Sequence, residues 1–336
     1  MKQIKITELL GDGIGAELEQ SIGKLANAFP VNLEFEKIVW SVESREDASK
    51  NVIERGISSL KRNQVALKYP TITRGISPNA VLRRRCNFSV IYRPAQSMPG
   101  IKSNFKKDIN LHIVRVATGG TYEDPGQLVG KYAAVSLRMV EKEPCEHAAT
   151  FAFELARRLS SHVTSASKHT IQRVTDGLFE AVVKEVHERF PFIQHKVELF
   201  DALLAKIIIS PQDYRVVLVL NEYGDFLSDM ASGLMGSLGT AASGNYAFNH
   251  DNSVALAMFD PAGGTAPDIA GKNVCNPAAI FLAFSMLLDH VGRRDLGDQL
   301  RYSVNTAVND GTCTRDLGGS MNTDEFTDLI IKKMVD

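Results

Sequence analysis

Residues 215–229 read RVVLVLNEYGDFLSD, an apolar run followed at once by a polar segment that contains a glycine. The apolar part, Arg215–Leu220, is rich in β-branched residues and predicts a buried strand. The polar part, Asn221–Asp229, predicts the first turns of a helix. A strand that passes directly into a helix is the repeating unit of α/β folds, so this stretch indicates the fold class.

Strand and helix signals alternate through the rest of the chain. The pattern predicts strands at 4–10, 32–39, 64–68 and 109–116, and helices from 16 onward and at 51–62, 146–159, 170–189 and 276–291. The glycine-rich stretch 118–131 predicts a loop or a short arm. We therefore expect an α/β protein in which helices cover a largely parallel sheet.

Composition limits the class of protein. The 336 residues suit two packed domains, and the net charge of -1 gives no argument for a nucleic-acid or membrane partner. The four cysteines form no CxxC pair, as expected for reduced thiols. Met1–Ile6 reads directly as a strand, and no apolar run approaches the roughly 20 residues that span a bilayer. These features predict a soluble cytoplasmic protein.

The glycine-rich turn after the first strand is not a dinucleotide-binding fingerprint. Gly11, Gly13 and Gly15 follow the pattern GxGxG, so the third glycine comes one residue too early for GxGxxG. A tight turn is the more frequent role of such a segment, so we do not predict a Rossmann cofactor site.

Two carboxylates within residues 215–229 indicate a cation site. Asp225 and Asp229 are four residues apart and would project from one face of a helix. Two anions held that close repel each other unless a cation or protons lie between them, and Mg²⁺ or Mn²⁺ prefers such oxygen ligands. Taken alone, the pair is better explained by acids that complement a helix dipole.

Basic residues shift the balance toward a binding site. Arg83 and Arg93 are ten residues apart and Arg115 ends a predicted strand, while Lys168 stands at the head of an amphipathic helix. Guanidinium groups bind carboxylates with two hydrogen bonds each, so three of them indicate a substrate with several carboxylates. Singly, each of these residues is typical of a solvated surface. Beside a metal, Lys168 could transfer protons.

Several motifs in a fixed order resemble one enzyme family. Residues 11–15 (GDGIG), 221–229 (NEYGDFLSD), 264–271 (GTAPDIAG), 276–277 (NP) and 314–319 (TRDLGG) are similar to segments of the β-decarboxylating dehydrogenases, which include isocitrate and isopropylmalate dehydrogenases. The similarity covers nearly the whole chain. It implies a two-domain fold, with a discontinuous large cofactor-binding domain of residues 1–94 and 249–336 and a non-Rossmann cofactor site. Residues 95–248 would form a small domain that carries the dimer interface.

The resemblance also implies roles for individual residues in active sites shared across a homodimer. It implies catalysis by Tyr122, Lys168 and Asp201. It implies substrate binding by Ser77, Asn79, Arg83, Arg93 and Arg115, and metal binding by Asp201, Asp225 and Asp229. Lys168 and Asp201 would come from the partner subunit. Cofactor contacts would fall to Gly264, Thr265, Ala266, Asp268, Ile269 and Asn276.

The implied activity is the NAD-dependent oxidative decarboxylation of a small hydroxyacid, with Mg²⁺ or Mn²⁺. The acidic Asp268 favours NAD because it would repel the 2′-phosphate of NADP. The spacing of Ser77, Asn79 and Arg83 resembles the isocitrate branch, whereas isopropylmalate, homoisocitrate, tartrate and malate remain alternatives.

Four departures from the family pattern leave a second hypothesis open. Tyr69 replaces a glycine and precedes a shortened loop, Thr170 replaces an asparagine, Gly263 replaces a histidine, and Val116-Ala117 replaces Glu-Asn. Each change touches substrate or cofactor positioning. A regulatory subunit of a hetero-oligomeric isocitrate dehydrogenase is therefore the alternative, and a cofactor cleft blocked by Tyr69 would favour it.

Overall fold

The computed structural model describes residues 3–237 and 239–335. Within these residues twelve strands and eleven α-helices alternate along the chain. The strands are β1 (Ile4–Leu10), β2 (Leu33–Val39), β3 (Val65–Lys68), β4 (Val90–Gln96), β5 (Asn110–Val116), β6 (Gln127–Val129), β7 (Ala133–Val135), β8 (Val163–Ser167), β9 (His195–Leu199), β10 (Val216–Val219), β11 (Ala242–Phe248) and β12 (Val254–Pro261). The helices are α1 (Gly15–Ala28), α2 (Val42–Glu46), α3 (Val52–Asn63), α4 (Pro78–Arg85), α5 (Lys142–Arg158), α6 (Thr175–His187), α7 (Phe200–Ile209), α8 (Asn221–Met235), α9 (Ala278–His290), α10 (Arg294–Asn309) and α11 (Thr323–Val335).

Ten strands form one mixed sheet in the order β2-β1-β3-β12-β11-β4-β5-β10-β8-β9. The two flanks are parallel, as predicted, but the pairs β12–β11, β11–β4 and β4–β5 are antiparallel. The carboxyl ends of β5 and β10 therefore point the opposite way from those of β3 and β12. The two parallel flanks are therefore joined through the antiparallel strands β11 and β4 at the centre of the sheet.

Apolar helices cover both faces of the sheet. Helix α9 is buried almost all round, and its Phe281 and Phe284 are fully enclosed in the largest hydrophobic core. Each such side chain contributes roughly 2–3 kcal/mol to folding. A second core lies under α7 and α8, and a third around Trp40 packs against α3. The second core holds α8, the helix that contains Asp225 and Asp229, in place.

In the glycine-rich turn of residues 11–15, the backbone lies directly against the backbone of two other segments. The amide of Asp12 donates to Pro70 O over 2.8 Å and that of Ile14 to Thr265 O over 3.0 Å. A Cβ at Gly11 would overlap Pro70 O, and one at Gly13 (φ +58°) would overlap Thr265 O. The glycines are therefore needed for close backbone approach, as the tight-turn interpretation predicted.

Strands β6 and β7 form a separate antiparallel ribbon. A loop or short arm was predicted at residues 118–131, and the ribbon begins within that range but extends beyond it. Leu128 and Tyr132 on it are 79% and 98% exposed. None of the helices in the described part of the chain is long and apolar enough to cross a membrane. The main sheet runs through both predicted domains, so the boundaries at 94/95 and 248/249 stay a prediction.

Candidate active site

Two arginines converge on the first carboxylate of α8. Arg115 is 2% exposed; its Nη1 contacts Asp225 Oδ1, and its Nε and Nη2 donate to Asn221 Oδ1 over 2.9 and 2.8 Å. Arg93 Nη1 lies 3.3 Å from the same Asp225 oxygen and 2.6 Å from Ser228 Oγ. These contacts join β4, β5 and α8 at the centre of the sheet.

A glycine allows α8 to lie this close to β5. A Cβ at Gly224 would come within 2.6 Å of the Arg115 side chain. Any larger residue would push the helix away from the arginine and separate Arg115 from Asp225. Gly224 is therefore needed for the contact between Arg115 and Asp225.

The site carries more positive than negative charge. Burial and the neighbouring Arg83 and Arg93 lower the pKa of Arg115 to about 10. Burial also lowers the pKa of Arg83. Partial burial works to raise the pKa of Asp225, but Arg115 and Arg93 outweigh it, and the net shift is downward. Arg93 and Arg115 share one carboxylate, and Nε of Arg83 and of Arg93 has no partner among the described residues, so the arginines have capacity for further anions.

Buried polar atoms of this cluster lack protein partners. Arg83 Nε, Arg93 Nε and Asn79 Oδ1 are enclosed without a hydrogen bond among the described residues. Ser77 precedes α4 at its N-cap, with no side-chain bond that would cap the helix. Buried polar groups are normally paired, so these atoms fit a polar, anionic ligand. The five predicted substrate residues thus come from α4, β4 and β5 and their flanks.

Tyr122 completes this side of the site. Its hydroxyl donates to Asp225 Oδ2 over 3.2 Å, and its ring lies 5.9 Å from the Arg115 guanidinium carbon. Desolvation and Asp225 raise its pKa, so the hydroxyl holds its proton at neutral pH. With 49% of the side chain exposed, Tyr122 is accessible to a ligand.

The predicted metal acids are only partly brought together. Asp225 and Asp229 lie one turn apart on α8, both within 4.0 Å of Arg93 Nη1. No group of three or more histidine, cysteine, aspartate or glutamate residues in the described part of the chain could hold a metal. The two oxygen-donor side chains fit a divalent cation, provided that further ligands come from a substrate or a second subunit.

Lys168 and Asp201 form a second, separate group. Lys168 Nζ lies 2.7 Å from both carboxylate oxygens of Asp201, and Lys168 lowers the pKa of that acid. Asp201 is exposed, and neither residue bonds directly to Asp225 or to the three arginines within residues 3–237 and 239–335. The structure therefore places the pair on an accessible surface outside this chain's own arginine cluster.

The predicted cofactor residues lie on the loop that follows β12. Glu17 of α1 holds this loop by accepting from the amides of Gly271 and Asn273 over 2.9 and 2.7 Å. Asp268 is exposed, and nothing lies within 4 Å of a Cβ built at Gly263 or Gly264. The loop thus offers both an accessible acid and open space at two of its glycines. The remaining predicted residues of the region are Thr265, Ala266, Ile269 and Asn276.

Tyr69 does not block the cleft. Its side chain is fully buried, packs against Gly15 and donates from its hydroxyl to Glu8 Oε1 over 2.6 Å. Val116 and Ala117 are buried as well, whereas Thr170 is exposed. Tyr69, the replacement that would have favoured a blocked cofactor cleft, thus lies in the core.

Two charged residues of the region were missed by the sequence analysis. Lys68 and Asp260 end the neighbouring strands β3 and β12 and line a cavity of about 100 Å³ together with Asn79, Arg83 and Arg93. Burial lowers the pKa of Lys68 and raises that of Asp260. Charged residues that end buried parallel strands were the signal that could have revealed them.

Comparison with known proteins gives consistent matches. The profile of the isocitrate/isopropylmalate dehydrogenase family matches residues 5–330. A regulatory subunit of the mitochondrial NAD isocitrate dehydrogenase of Dictyostelium discoideum is 34% identical, over 99% of this chain and 92% of its own length. Subunit 2 of the NAD enzyme of Schizosaccharomyces pombe is 33% identical, over 98% and 87% respectively. The crystal structure of isocitrate dehydrogenase from Methylococcus capsulatus superposes with a TM-score of 0.89 at 30% identity, with 99% of each chain covered.

The expected cytoplasmic location is wrong. The relatives from Dictyostelium and Schizosaccharomyces are named as mitochondrial, and so is a probable alpha-type chain of the NAD enzyme from Drosophila melanogaster, which is 32% identical over 98% of this chain and 87% of its own length. The four cysteines are free and buried, as predicted, but reduced thiols occur in more than one compartment. The described core and candidate-site residues do not indicate in which compartment the protein is located.

Proposed function

Because the chain belongs to the isocitrate/isopropylmalate dehydrogenase family, we propose that it catalyses the NAD- and metal-dependent oxidative decarboxylation of isocitrate to 2-oxoglutarate and CO₂. The observation that carries this proposal is that Arg93 and Arg115 both contact Asp225, while Arg83 lines a buried cavity together with Arg93. Three guanidinium groups with spare donors match a substrate that has three carboxylates.

The lining of the neighbouring cavity favours isocitrate over isopropylmalate. Lys68, Asn79, Arg83, Arg93 and Asp260 contribute polar or charged groups to it. An isopropyl group there would leave Nε of Arg83 and of Arg93 unpaired, whereas a carboxylate could accept hydrogen bonds from them. Homoisocitrate, tartrate and malate present carboxylates too and remain to be separated by assay.

The chain's own residues supply orientation and proton transfer. The arginines hold the substrate carboxylates and fix the hydroxyl-bearing carbon. Lys168 of the partner subunit takes the proton from the hydroxyl as the carbon loses its hydride. Loss of CO₂ leaves an enolate, and the Tyr122 hydroxyl, which its raised pKa keeps protonated, gives the proton that converts the enolate to the product.

Asp225, Asp229 and the partner's Asp201 would hold Mg²⁺ or Mn²⁺. When bound, the cation stabilises negative charge on the hydroxyl and carboxylate oxygens of the substrate. Asp225 is suited to this task because the arginines keep it ionised. Its contact with Arg115 also fixes the orientation of the carboxylate before a cation is bound.

The loop 264–271 and Asn276 would bind NAD, which accepts the hydride. Asp268 is exposed and can accept hydrogen bonds from ribose hydroxyls, while it disfavours a 2′-phosphate. Gly263 and Gly264 leave room in the same loop, and Asn276 is held by a 2.9 Å hydrogen bond to Asp316.

Exposed apolar side chains support a multisubunit protein that shares its active sites. Ile171 and Val174 follow Lys168, Phe226 follows Asp225, and the β6–β7 arm presents Leu128 and Tyr132, all of them largely exposed. Such surfaces usually mark protein contacts. We propose a dimer in which each chain supplies Lys168 and Asp201 to its partner's site, either as a homodimer or within a hetero-oligomer.

One observation keeps a regulatory role as the second candidate. The 34% identical relative from Dictyostelium is named a regulatory subunit, and Thr170 and Gly263 replace residues that are usual in the family. In this role the chain would bind hydroxyacid through its arginines but turn it over poorly.

NAD reduction, followed by absorbance with Mn²⁺ and the five acids, separates the candidates. Rapid, metal-dependent turnover with isocitrate alone supports the proposed activity. Absence of turnover, with calorimetric binding of isocitrate retained, supports the regulatory role. The same assay repeated with NADP tests the cofactor assignment.

A further inference from the structure

The first turn of α8 contacts two different parts of the site. Asn221 and Asp225 face Arg115, and the Asn221 amide also donates to Gly119 O over 3.0 Å. Glu222 and Tyr223, between them, contact other elements. This turn therefore touches the chain's own arginine cluster on one side and a second network on the other.

The second network reaches the segment that carries Lys168. Asp176 is completely buried and accepts from the backbone amide of Lys168 over 2.7 Å and from the Tyr223 hydroxyl over 3.0 Å. Phe200, the residue before Asp201, stacks on the Tyr223 ring with centroids 4.4 Å apart. Both groups that would serve a partner's site are thus anchored on the first turn of α8.

Arg138 lies between the two buried acids of this network. Its Nη2 and Nε donate to Asp176 Oδ1 over 2.9 and 3.2 Å, its Nη1 contacts Glu222 Oε1, and its guanidinium carbon lies 5.1 Å from the Tyr223 ring centre. Without Arg138, two carboxylates would be buried close together with no cation between them. Such an arrangement is strongly unfavourable, so the acids would move apart.

Movement of Glu222 would be transmitted to the turn before Tyr122. A Cβ at Gly120 would overlap Glu222 Oε2, so this carboxylate packs directly on the backbone two residues before the tyrosine. Gly120 has φ +71°, and the amide of Gly120 donates to Met139 O over 2.6 Å, next to Arg138. The backbone of this turn is therefore held from both sides.

We propose that Arg138 is a positioning residue that couples the site each chain builds to the residues it gives its partner. Through Asp176 it sets the Lys168 backbone, and through Glu222 it sets the first turn of α8 and the approach to Tyr122. The inference rests on the proposed function, in which Lys168 acts in the partner's site.

A mixed dimer isolates each half of this coupling. One chain carries Lys168→Met and the other Asp225→Asn, with different affinity tags, so that one site keeps both Asp225 and Lys168. Arg138→Met is then added to either chain.

In the chain that donates Lys168 we expect kcat with isocitrate to fall at least about tenfold, since small misplacements of a catalytic group are costly. In the chain that supplies Asp225 we expect KM for isocitrate to rise several-fold, on the order of the weakening seen when a supporting partner of a ligating residue is lost.

Three results would overturn or redirect the inference. Loss only in the chain that donates Lys168 makes Arg138 a local support of that segment and overturns the coupling. Loss from neither placement overturns the whole proposal. An inactive mixed dimer without Arg138→Met contradicts the proposed shared site instead, and hydrogen exchange on the full chain then decides: exchange at residues 168–172 and 221–223 must accelerate together in the Arg138 variant.

Two further variants guard against simple misfolding. Tyr223→Phe removes the hydroxyl that donates to Asp176 but keeps the stacking on Phe200, and should reproduce part of the kcat loss. Arg138→Lys keeps a cation between the acids and should restore most of the turnover. Arg157→Met, in an exposed pair with Glu154, is the matched control and should leave kcat and KM unchanged.

Discussion

The Tyr69 hydroxyl donates a 2.6 Å hydrogen bond to Glu8 Oε1, and both side chains are buried between β1, β3 and the start of α1. Tyrosine at this position departs from the family pattern, and its side chain is buried in the core. It gives the chain a buried acid–phenol pair in the core. The consequence of this departure is expected in stability rather than in catalysis.

Glu8→Gln should remove a pH dependence of folding. Burial raises the pKa of Glu8 from 4.5 to about 7. Between these values the folded chain keeps a proton that the unfolded chain has released, so the free energy of unfolding falls as the pH rises through this window. The loss amounts to about 3 kcal/mol in total. Denaturant unfolding at pH 5 and pH 8 should show that loss in the wild type and much less of it in Glu8→Gln.

The control for this experiment is Tyr69→Phe. The hydrogen bond from Tyr69 favours the ionised carboxylate, so its loss should raise the pKa of Glu8 in the folded chain and extend the decline in stability to higher pH. If the wild type and Glu8→Gln have the same pH dependence, the assignment of this titration to Glu8 is wrong.

Gly263→His should strengthen NAD binding. Nothing lies within 4 Å of a Cβ at Gly263, so the larger residue can be accommodated without moving the loop. The resemblance to the family indicates a histidine beside adenine, where stacking contributes about 1 kcal/mol. We expect KM for NAD to fall several-fold with little change in KM for isocitrate. Gly23→His on helix α1 is the matched control, since nothing lies within 4 Å of a Cβ there either; an equal effect from both variants would contradict a specific adenine contact.

The sequence predicted the fold class and most of the secondary structure because apolar periodicity depends on local residues alone. Helix α6 shows the limit: amphipathic spacing predicted its start at 170, but it begins at Thr175. The preceding residues form a turn in which the amides of Ile171 and Gln172 donate to Lys168 O over 2.9 and 2.8 Å. That turn is held by Asp176, whose burial no local pattern reveals.

The predicted arginines and acids were named from the sequence because family motifs carry them; in the structure Arg93 and Arg115 contact Asp225, and their roles in a site stay a prediction. Lys68 and Arg138 could not be found in this way. A lone basic residue within an apolar stretch is ordinarily interpreted as exposed. Their neutralising partners lie far away in sequence: Asp176 is 38 residues from Arg138.

Asp268→Lys should relax the preference for NAD. The exposed carboxylate disfavours a 2′-phosphate, and a lysine at the same position would attract it. We expect the ratio of kcat/KM for NAD to that for NADP to fall by at least about tenfold, which corresponds to about 1.4 kcal/mol. Asp316→Lys would be a poor control because Asp316 bonds to Asn276, so Asp108→Lys, at an exposed acid between β4 and β5, is preferable. An unchanged ratio in Asp268→Lys would remove Asp268 from the cofactor site.

Asp225→Asn should weaken binding of Mn²⁺ far more than it weakens the fold. The amide keeps an oxygen toward Arg115 but loses the negative charge that a divalent cation needs. It also leaves Arg93 and Arg115 without their shared carboxylate, so the cluster gains one net positive charge, which further repels the cation. We therefore expect calorimetric Mn²⁺ affinity to fall by more than about tenfold, while binding of isocitrate without metal is retained or strengthened because the freed guanidinium groups donate to its carboxylates. Asp213→Asn, an exposed acid in the turn before β10, controls for the change in total charge. Equal Mn²⁺ affinity in Asp225→Asn and Asp213→Asn would mean that the cation, if bound, is held elsewhere.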